Sequence, residues 1–314
     1  MKIVFMGTPQ FAANILQKLI DEQSEIVLVV SQPDRPVGRK KALLPTPVKQ
    51  LALTYAIPVF QPEKIRRDYQ KILAVNPDII ITAAYGQIIP KALLDAPRLG
   101  CINVHASLLP NYRGGAPIHH ALLDGMAETG VTIMYMDETM DTGDIIACAK
   151  TLIADTDDVG VLFERLSHLG AKLLIATLPA IKANTNARIA QAHDLATYAP
   201  NLKREHELIN WHQSARVIFN QIRGLNPWPT AYTTINGQNI KIFKAKMPRV
   251  ASKNATATPA GTIINVHADG VDVMSGDGQL IAILELQIAG KRKIPLKDLL
   301  NGEHPLIVGK QFGG

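Results

Sequence analysis

The chain has 314 residues, 47% of them apolar and 19% charged, which is long enough for two domains with separate cores and too apolar for a disordered protein. No apolar run reaches bilayer-spanning length, and the opening MKIVFMG continues as alternating structure, so neither a membrane partner nor a signal peptide is expected. The formal charge of +6 lies in the last third: residues 1–200 hold 19 basic and 19 acidic side chains, residues 201–314 hold 14 and 8. The two cysteines, Cys101 and Cys148, offer neither a disulfide framework nor metal-ligand spacing, and a reducing, cytoplasmic setting is the expectation.

In chain order, KIVFMG (2–7) reads as a buried strand followed by a helix over 9–22. Gly7 between them invites a dinucleotide-binding reading, but the later glycines of that fingerprint are missing. The second strand, EIVLVVS (25–31), runs into Gln32 and Pro33 without an acid placed for a ribose, so a nicotinamide-dependent oxidoreductase is disfavoured. Residues 31–50 then carry five basic side chains and one acid, Asp34. Pro33, Pro36, Gly38, Pro45 and Pro47 speak against regular structure there, and Arg35, Arg39, Lys40 and Lys41 suggest a loop that binds a polyanion. A solvated charged surface is the plainer alternative.

A helix is expected over 46–56, strands at DIIITAAYG (78–86) and CINVHAS (101–107), a helix over 115–125 and a strand at GVTIMYMD (130–137). A long helix follows over 159–183, capped by Asp157 or Asp158. This alternation predicts an α/β fold with a Rossmann-like parallel sheet covered on both faces. The domain is expected to span 1–184. Residues 185–203 lose apolar periodicity and read as a linker. Beyond it, over 204–314, come one helix and short alternating segments turned at Asn236-Gly237, Asp269-Gly270 and Asp277-Gly278. A small OB-like antiparallel barrel is expected there, an architecture that often binds oligonucleotides.

Candidate chemistry starts at Asn103 and His105. Residues two apart on a strand share a face, and the carboxyl ends of parallel strands are where ligands sit. Each residue alone has an ordinary structural explanation. The strand 130–137, however, runs into a loop with Asp137, Glu138, Asp141 and Asp144, expected on the same sheet edge. A carboxylate from it could fix the tautomer of His105 and raise its pKa. Ser107 sits in no nucleophile-elbow context. An Asn–His–Asp trio without a nucleophile suits stabilising an oxyanion and moving protons for an external nucleophile. No His/Cys cluster offers a metal site.

The stretch N-V-H-A-S-L-L-P-x-x-R-G-G-A-P-I, followed by M-D-x-x-M-D-T-G-D-I, resembles the folate-dependent formyltransferases, and the similarity spans nearly the whole chain. QPDRPVGRKK and IRGLNPWPTAY are similar to the basic loop and the C-terminal barrel of the members that formylate methionyl-tRNA. The resemblance implies a catalytic trio of Asn103, His105 and Asp141. It implies a folate-contacting segment at Ser107, Leu108, Leu109 and Pro110, and a pterin pocket lined by the backbone of 83–90, including Tyr85, Gly86, Gln87 and Ile88. The implied formyl donor is 10-formyltetrahydrofolate, without metal, and the implied acceptor is the α-amine of initiator methionyl-tRNA. The working unit is expected to be a monomer. For Arg113, Gly114 and Gly115 a structural role in the turn is as good a reading as a catalytic one. The rivals are a formyltransferase for a small amine such as glycinamide ribonucleotide or an amino sugar, and a non-catalytic RNA-binding module.

Overall fold

Buried Val- and Ile-rich runs become strands wherever helices return to cover them. A computed structural model describes residues 1–37, 42–250, 258–302 and 304–313. The chain divides into two compact units: Met1–Pro117 with Glu128–Thr151 and Phe163–Pro200, and Ile118–Ala127 with Leu152–Leu162 and Asn201–Gly314.

The first unit contains β1 (Ile3–Gly7), β2 (Ile26–Val30), the two short strands β3 (Arg35–Val37) and β4 (Ala42–Leu44), β5 (Val59–Phe60), β6 (Ile79–Ala83), β7 (Cys101–His105), β8 (Glu128–Tyr135) and β9 (Ile145–Leu152). Its sheet has the order β5-β2-β1-β6-β7-β8-β9. The first five strands in that order are parallel. β1 and β6 are buried throughout, as strands covered on both faces must be. Burying each such Ile or Val stabilises the fold by about 1.5–3 kcal/mol. Gly7 is explained by packing, because a Cβ there would lie 2.5 Å from the Ala12 Cβ of the helix Gln10–Asp21. The helix Val159–Lys182 is capped by Asp158, whose Oδ1 accepts from the Val161 amide. Its Gly170 lets it approach β7, since a Cβ there would meet Val104 Cγ1 at 2.9 Å.

Three expectations are corrected. β8 pairs antiparallel to β7, with Asn103 opposite Met134 and His105 opposite Thr132. The connection between them, residues 106–127, carries one short helix, Pro117–Leu123. The acidic loop therefore leaves β8 near Ile102, not beside His105, and must fold back to reach it. Second, the proline-rich basic stretch does contain regular structure: β3 and β4 form a two-stranded ribbon with Pro36 opposite Leu43. A two-strand ribbon has an outward edge that tolerates a residue without an N–H. Arg39, Lys40 and Lys41 lie outside the described residues. Third, β9 follows the acidic loop as an eight-residue strand where the sequence reading places none.

Residues 189–199 belong to the first unit and are tied into it through backbone hydrogen bonds. Ile189 and Ile145 exchange N–H···O bonds of 2.8 and 2.9 Å, and Arg113 exchanges them with Thr197 and Ala199 at 2.9 and 2.7 Å.

The second unit holds β10 (Ala231–Ile235), β11 (Gln238–Val250), β12 (Ile263–Val266), β13 (Val271–Met274), β14 (Gln279–Ile288) and β15 (Ile294–Pro295) in an antiparallel sheet of order β10-β11-β14-β13-β12, with β15 on β14. The three expected Gly turns join β10–β11, β12–β13 and β13–β14. Asn236 and Gly237 have φ of 49° and 75°, the left-handed pair that a tight hairpin needs. The helix Ala215–Gly224, capped by Ser214, packs Ile218, Phe219 and Ile222 into the same core as Ile240, Ile281 and Leu286.

Candidate active site

Asn103 and His105 sit at the carboxyl end of β7, on one face as their spacing requires. Thr82, opposite Asn103 on β6, donates its hydroxyl to Asn103 Oδ1 at 2.9 Å. That occupies the amide oxygen and leaves the Nδ2 hydrogens without a partner among the described residues. A half-buried amide with its donors unspent is suited to meeting developing negative charge.

His105 is 5% exposed. Its Nε2 lies 3.0 Å from the carbonyl oxygen of Tyr112, which can only accept, so Nε2 carries a hydrogen and donates it. The tautomer is thus set by a backbone carbonyl, and not by a carboxylate as expected from the sequence. Nδ1 is the nitrogen left to gain or lose a proton, and it faces Asp141 Oδ1 at 3.7 Å. This is ion-pair range but longer than a hydrogen bond.

Asp141 reaches His105 because the loop after β8 folds back. Its other oxygen, Oδ2, accepts from the Gly114 amide at 2.9 Å. Gly114 has φ +118°, and a Cβ there would meet the Ala199 carbonyl oxygen at 2.7 Å, so only glycine brings its N–H to that place. Asp141 itself has φ +55°, a left-handed conformation that aspartate adopts more readily than most residues.

The segment from Ser107 to Pro110 is pinned from below by a buried threonine. Thr132 Oγ1 donates to the Ser107 carbonyl at 2.7 Å and accepts from the Leu109 amide at 3.2 Å. Ser107, fully buried, spends its hydroxyl on the Asn111 carbonyl at 2.6 Å, so it is no nucleophile. Leu109 is buried, while Leu108 and Pro110 are partly open.

The turn after β6 is also held. The Tyr85 carbonyl accepts from Thr8 Oγ1 and Gln32 Nε2, each at 3.1 Å. Tyr85 Oη is buried without a partner among the described residues, and burial pushes its pKa up to about 12, so it is a neutral hydroxyl. Gly86 has φ +86°. Gln87 accepts from the Ile65 amide and donates to Gln32 Oε1 and the Glu63 carbonyl. Ile88 is 56% exposed. Arg35, on the short ribbon, is exposed.

Residues that sequence reasoning did not single out complete the site. They are Thr82 and Thr132, which sit beside Asn103 and His105 across the sheet, and Gln191. Arg113, 2% exposed, makes its side-chain hydrogen bonds to Gln191 and His193, 78 and 80 residues away. Among the described residues no group of three or more His, Cys, Asp or Glu could hold a metal ion, and no helix is long and apolar enough to cross a membrane.

Comparison with known proteins identifies the family. Residues 1–178 match the family model described as formyl transferase, and residues 201–304 match that of the formyl transferase C-terminal domain. The methionyl-tRNA formyltransferase of Bacillus subtilis is 52% identical over 305 residues, covering 96% of this chain and 95% of that one. The Staphylococcus epidermidis protein of the same name is 49% identical over 311 residues, 98% of each chain. Among solved structures, HypX from Aquifex aeolicus in complex with tetrahydrofolic acid superposes with a TM-score of 0.66 over 96% of this chain and 47% of its own, at 15% identity, a likeness of fold. With both domain models matched and half its residues shared over nearly its whole length, the chain belongs to the formyl transferase family, among the methionyl-tRNA formyltransferases.

Proposed function

We propose that the protein transfers the formyl group of 10-formyltetrahydrofolate to the α-amine of initiator methionyl-tRNA. The observation that carries this reading is the convergence of Asn103, His105 and Asp141 at one strand end, in a chain half identical to methionyl-tRNA formyltransferases. A formyltransferase for a small amine is not favoured by relatives at that identity.

In this reading Asn103 Nδ2 donates to the formyl oxygen as negative charge grows on it. Pre-set donors of this kind contribute about 10²–10³ in rate. The attacking α-amine titrates near pH ~8, so a useful neutral fraction exists at neutral pH. His105 Nδ1 takes a proton from that amine as the C–N bond forms and returns it to the departing folate nitrogen. Asp141 stabilises the imidazolium while Tyr112 holds the ring from Nε2. The folate is proposed to lie against Ser107–Pro110 and Tyr85–Ile88. The exposed Ile88 side chain suits the apolar face of a flat ring. Arg35, with Arg39, Lys40 and Lys41, is proposed to contact tRNA phosphates.

The test is to offer purified protein 10-formyltetrahydrofolate with methionyl-tRNA, glycinamide ribonucleotide or an amino sugar nucleotide. Formylation of methionyl-tRNA far ahead of the small amines is the expected result. Preference for a small amine, or no transfer to any, would overturn the reading.

A further inference from the structure

Asp141 is held in a left-handed conformation on a loop that must double back to face His105, and something has to keep it there. The Gly114 amide holds the carboxylate end. The backbone end is held by Gln191, from the stretch whose sequence reads as a featureless linker. Gln191 is 5% exposed. Its Nε2 donates to the Asp141 carbonyl at 2.9 Å and to the Gly143 carbonyl at 2.8 Å. Its Oε1 accepts from Arg113 Nε at 3.2 Å and Nη2 at 2.7 Å.

Two donors and two acceptor positions are all a glutamine amide has, and here each is used once. The arrangement also fixes which end is which. Arg113 can only donate, so Oε1 must face it, and the two carbonyls can only accept, so the NH₂ must face them. Arg113 in turn precedes Gly114, whose N–H binds the Asp141 carboxylate. One closed circuit, Asp141 backbone to Gln191 to Arg113 to Gly114 to Asp141 carboxylate, therefore ties both ends of the acid together. The ladder bonds of Ile189, Thr197 and Ala199 anchor Gln191 on either side.

We propose that Gln191 is a positioning residue for formyl transfer: with Arg113 it locks the 141–143 backbone so that the Asp141 carboxylate faces His105. The proposal rests on the reading of Asp141 as part of the catalytic trio. Gln191→Glu has nearly the same volume but puts a carboxylate oxygen against two carbonyl oxygens, so it should push the loop away while the fold survives. A displacement of about 1 Å at the chemistry is worth roughly 10²-fold in rate.

The experiment measures single-turnover formylation of methionyl-tRNA and KM for both substrates, across pH, in five full-length proteins: wild type, Gln191→Glu, Gln191→Ala, Asp141→Asn and the Gln191→Ala/Asp141→Asn double variant. The Gln191 variants should lose roughly 10–100-fold in kcat with KM for both substrates within about two-fold of wild type. Their pH–rate profiles should resemble that of Asp141→Asn. In the Asp141→Asn background, Gln191→Ala should cost less than about three-fold, because the residue acts through an acid already lost. Equal losses in both backgrounds, a change confined to KM, or an unaltered kcat in Gln191→Glu would overturn the proposal. An inactive wild type would instead overturn the functional reading beneath it.

Discussion

Among the described residues, one Asp–His pair in each unit invites comparison, and the two are built in opposite ways. In the second unit Asp272 is fully buried and His267 is largely open, and they touch at 2.5 Å. Arg249 and Asn265 converge on the same carboxylate oxygen, Oδ2. Burial works to raise the pKa of Asp272, but hydrogen bonds from His267, Arg249 and Asn265, with the charge of Arg249, hold it below the usual carboxylate range. At the strand end of the first unit it is the histidine that is buried, the acid is the more open partner, and the two stand 3.7 Å apart. Asn103 beside them keeps unspent donors, and Nδ1 of His105 has no direct hydrogen bond. Adjacency of Asp and His is therefore not a signature of chemistry. Three donors gathered on one oxygen of a buried carboxylate tie strands together and leave its other oxygen, Oδ1, buried and without a partner among the described residues, whereas the groups at the first pair face outward with donors unspent.

The largest effect should come from the unspent capacity. Asn103→Ala should lower kcat by about 10²–10³, measured in single turnover, with melting temperature little changed. If kcat holds, the donor reading of Asn103 falls and the contrast between the two pairs weakens.

A third histidine sharpens the comparison because no acid pairs with it among the described residues. His119, packed edge-on against Trp228, is 9% exposed with Nε2 unpartnered among the described residues, and burial lowers its pKa to about 4. Between the unfolded value near ~6.5 and about 4, the unfolded chain binds a proton that the folded one refuses. Stability from this group is thus full above pH ~6.5 and lost as pH falls toward 4, by up to about 3 kcal/mol. Denaturant titrations of His119→Phe should show a flatter acid dependence over that window than wild type. Parallel curves would remove His119 as the cause.

Asp272→Asn should cost roughly 1–3 kcal/mol of stability at neutral pH while leaving the single-turnover rate intact. Its depressed pKa reverses nothing in sign: the contribution is present above the ordinary carboxylate range and fades as pH falls through the folded value. The gap between variant and wild type should narrow accordingly in acid. The smallest effect is expected away from both pairs, at Arg35. Arg35→Ala should reduce the slope of log affinity for tRNA against log salt by roughly 0.7–0.9 if it meets one phosphate. An unchanged slope would leave Arg35 as solvated surface.

What the sequence disclosed follows the range of the interactions involved. The period-two spacing of Asn103 and His105 is local, and so are the three Gly turns of the second unit; all were readable. Asp141 is legible through its motif, but the side from which its loop arrives is not, because the direction of β8 beside β7 is not written in the strand's own residues. The tautomer of His105 depends on a carbonyl at Tyr112, and carbonyls have no sequence signature. Gln191 was hidden most completely. Its partners lie 78 residues back at Arg113 and about 50 back at Asp141 and Gly143, and a lone Gln among Ala, His and Asp looks like any solvated segment.

In the reading proposed above, the His105–Asp141 pair performs the chemistry and the His267–Asp272 pair does not. The most direct measurement is the single-turnover rate of formyl transfer to methionyl-tRNA by Asp141→Asn and by Asp272→Asn, under conditions where both are fully folded and saturated with substrate. Asp141→Asn should fall at least about 10²-fold below wild type while Asp272→Asn matches it. A near-normal rate for Asp141→Asn would contradict that reading.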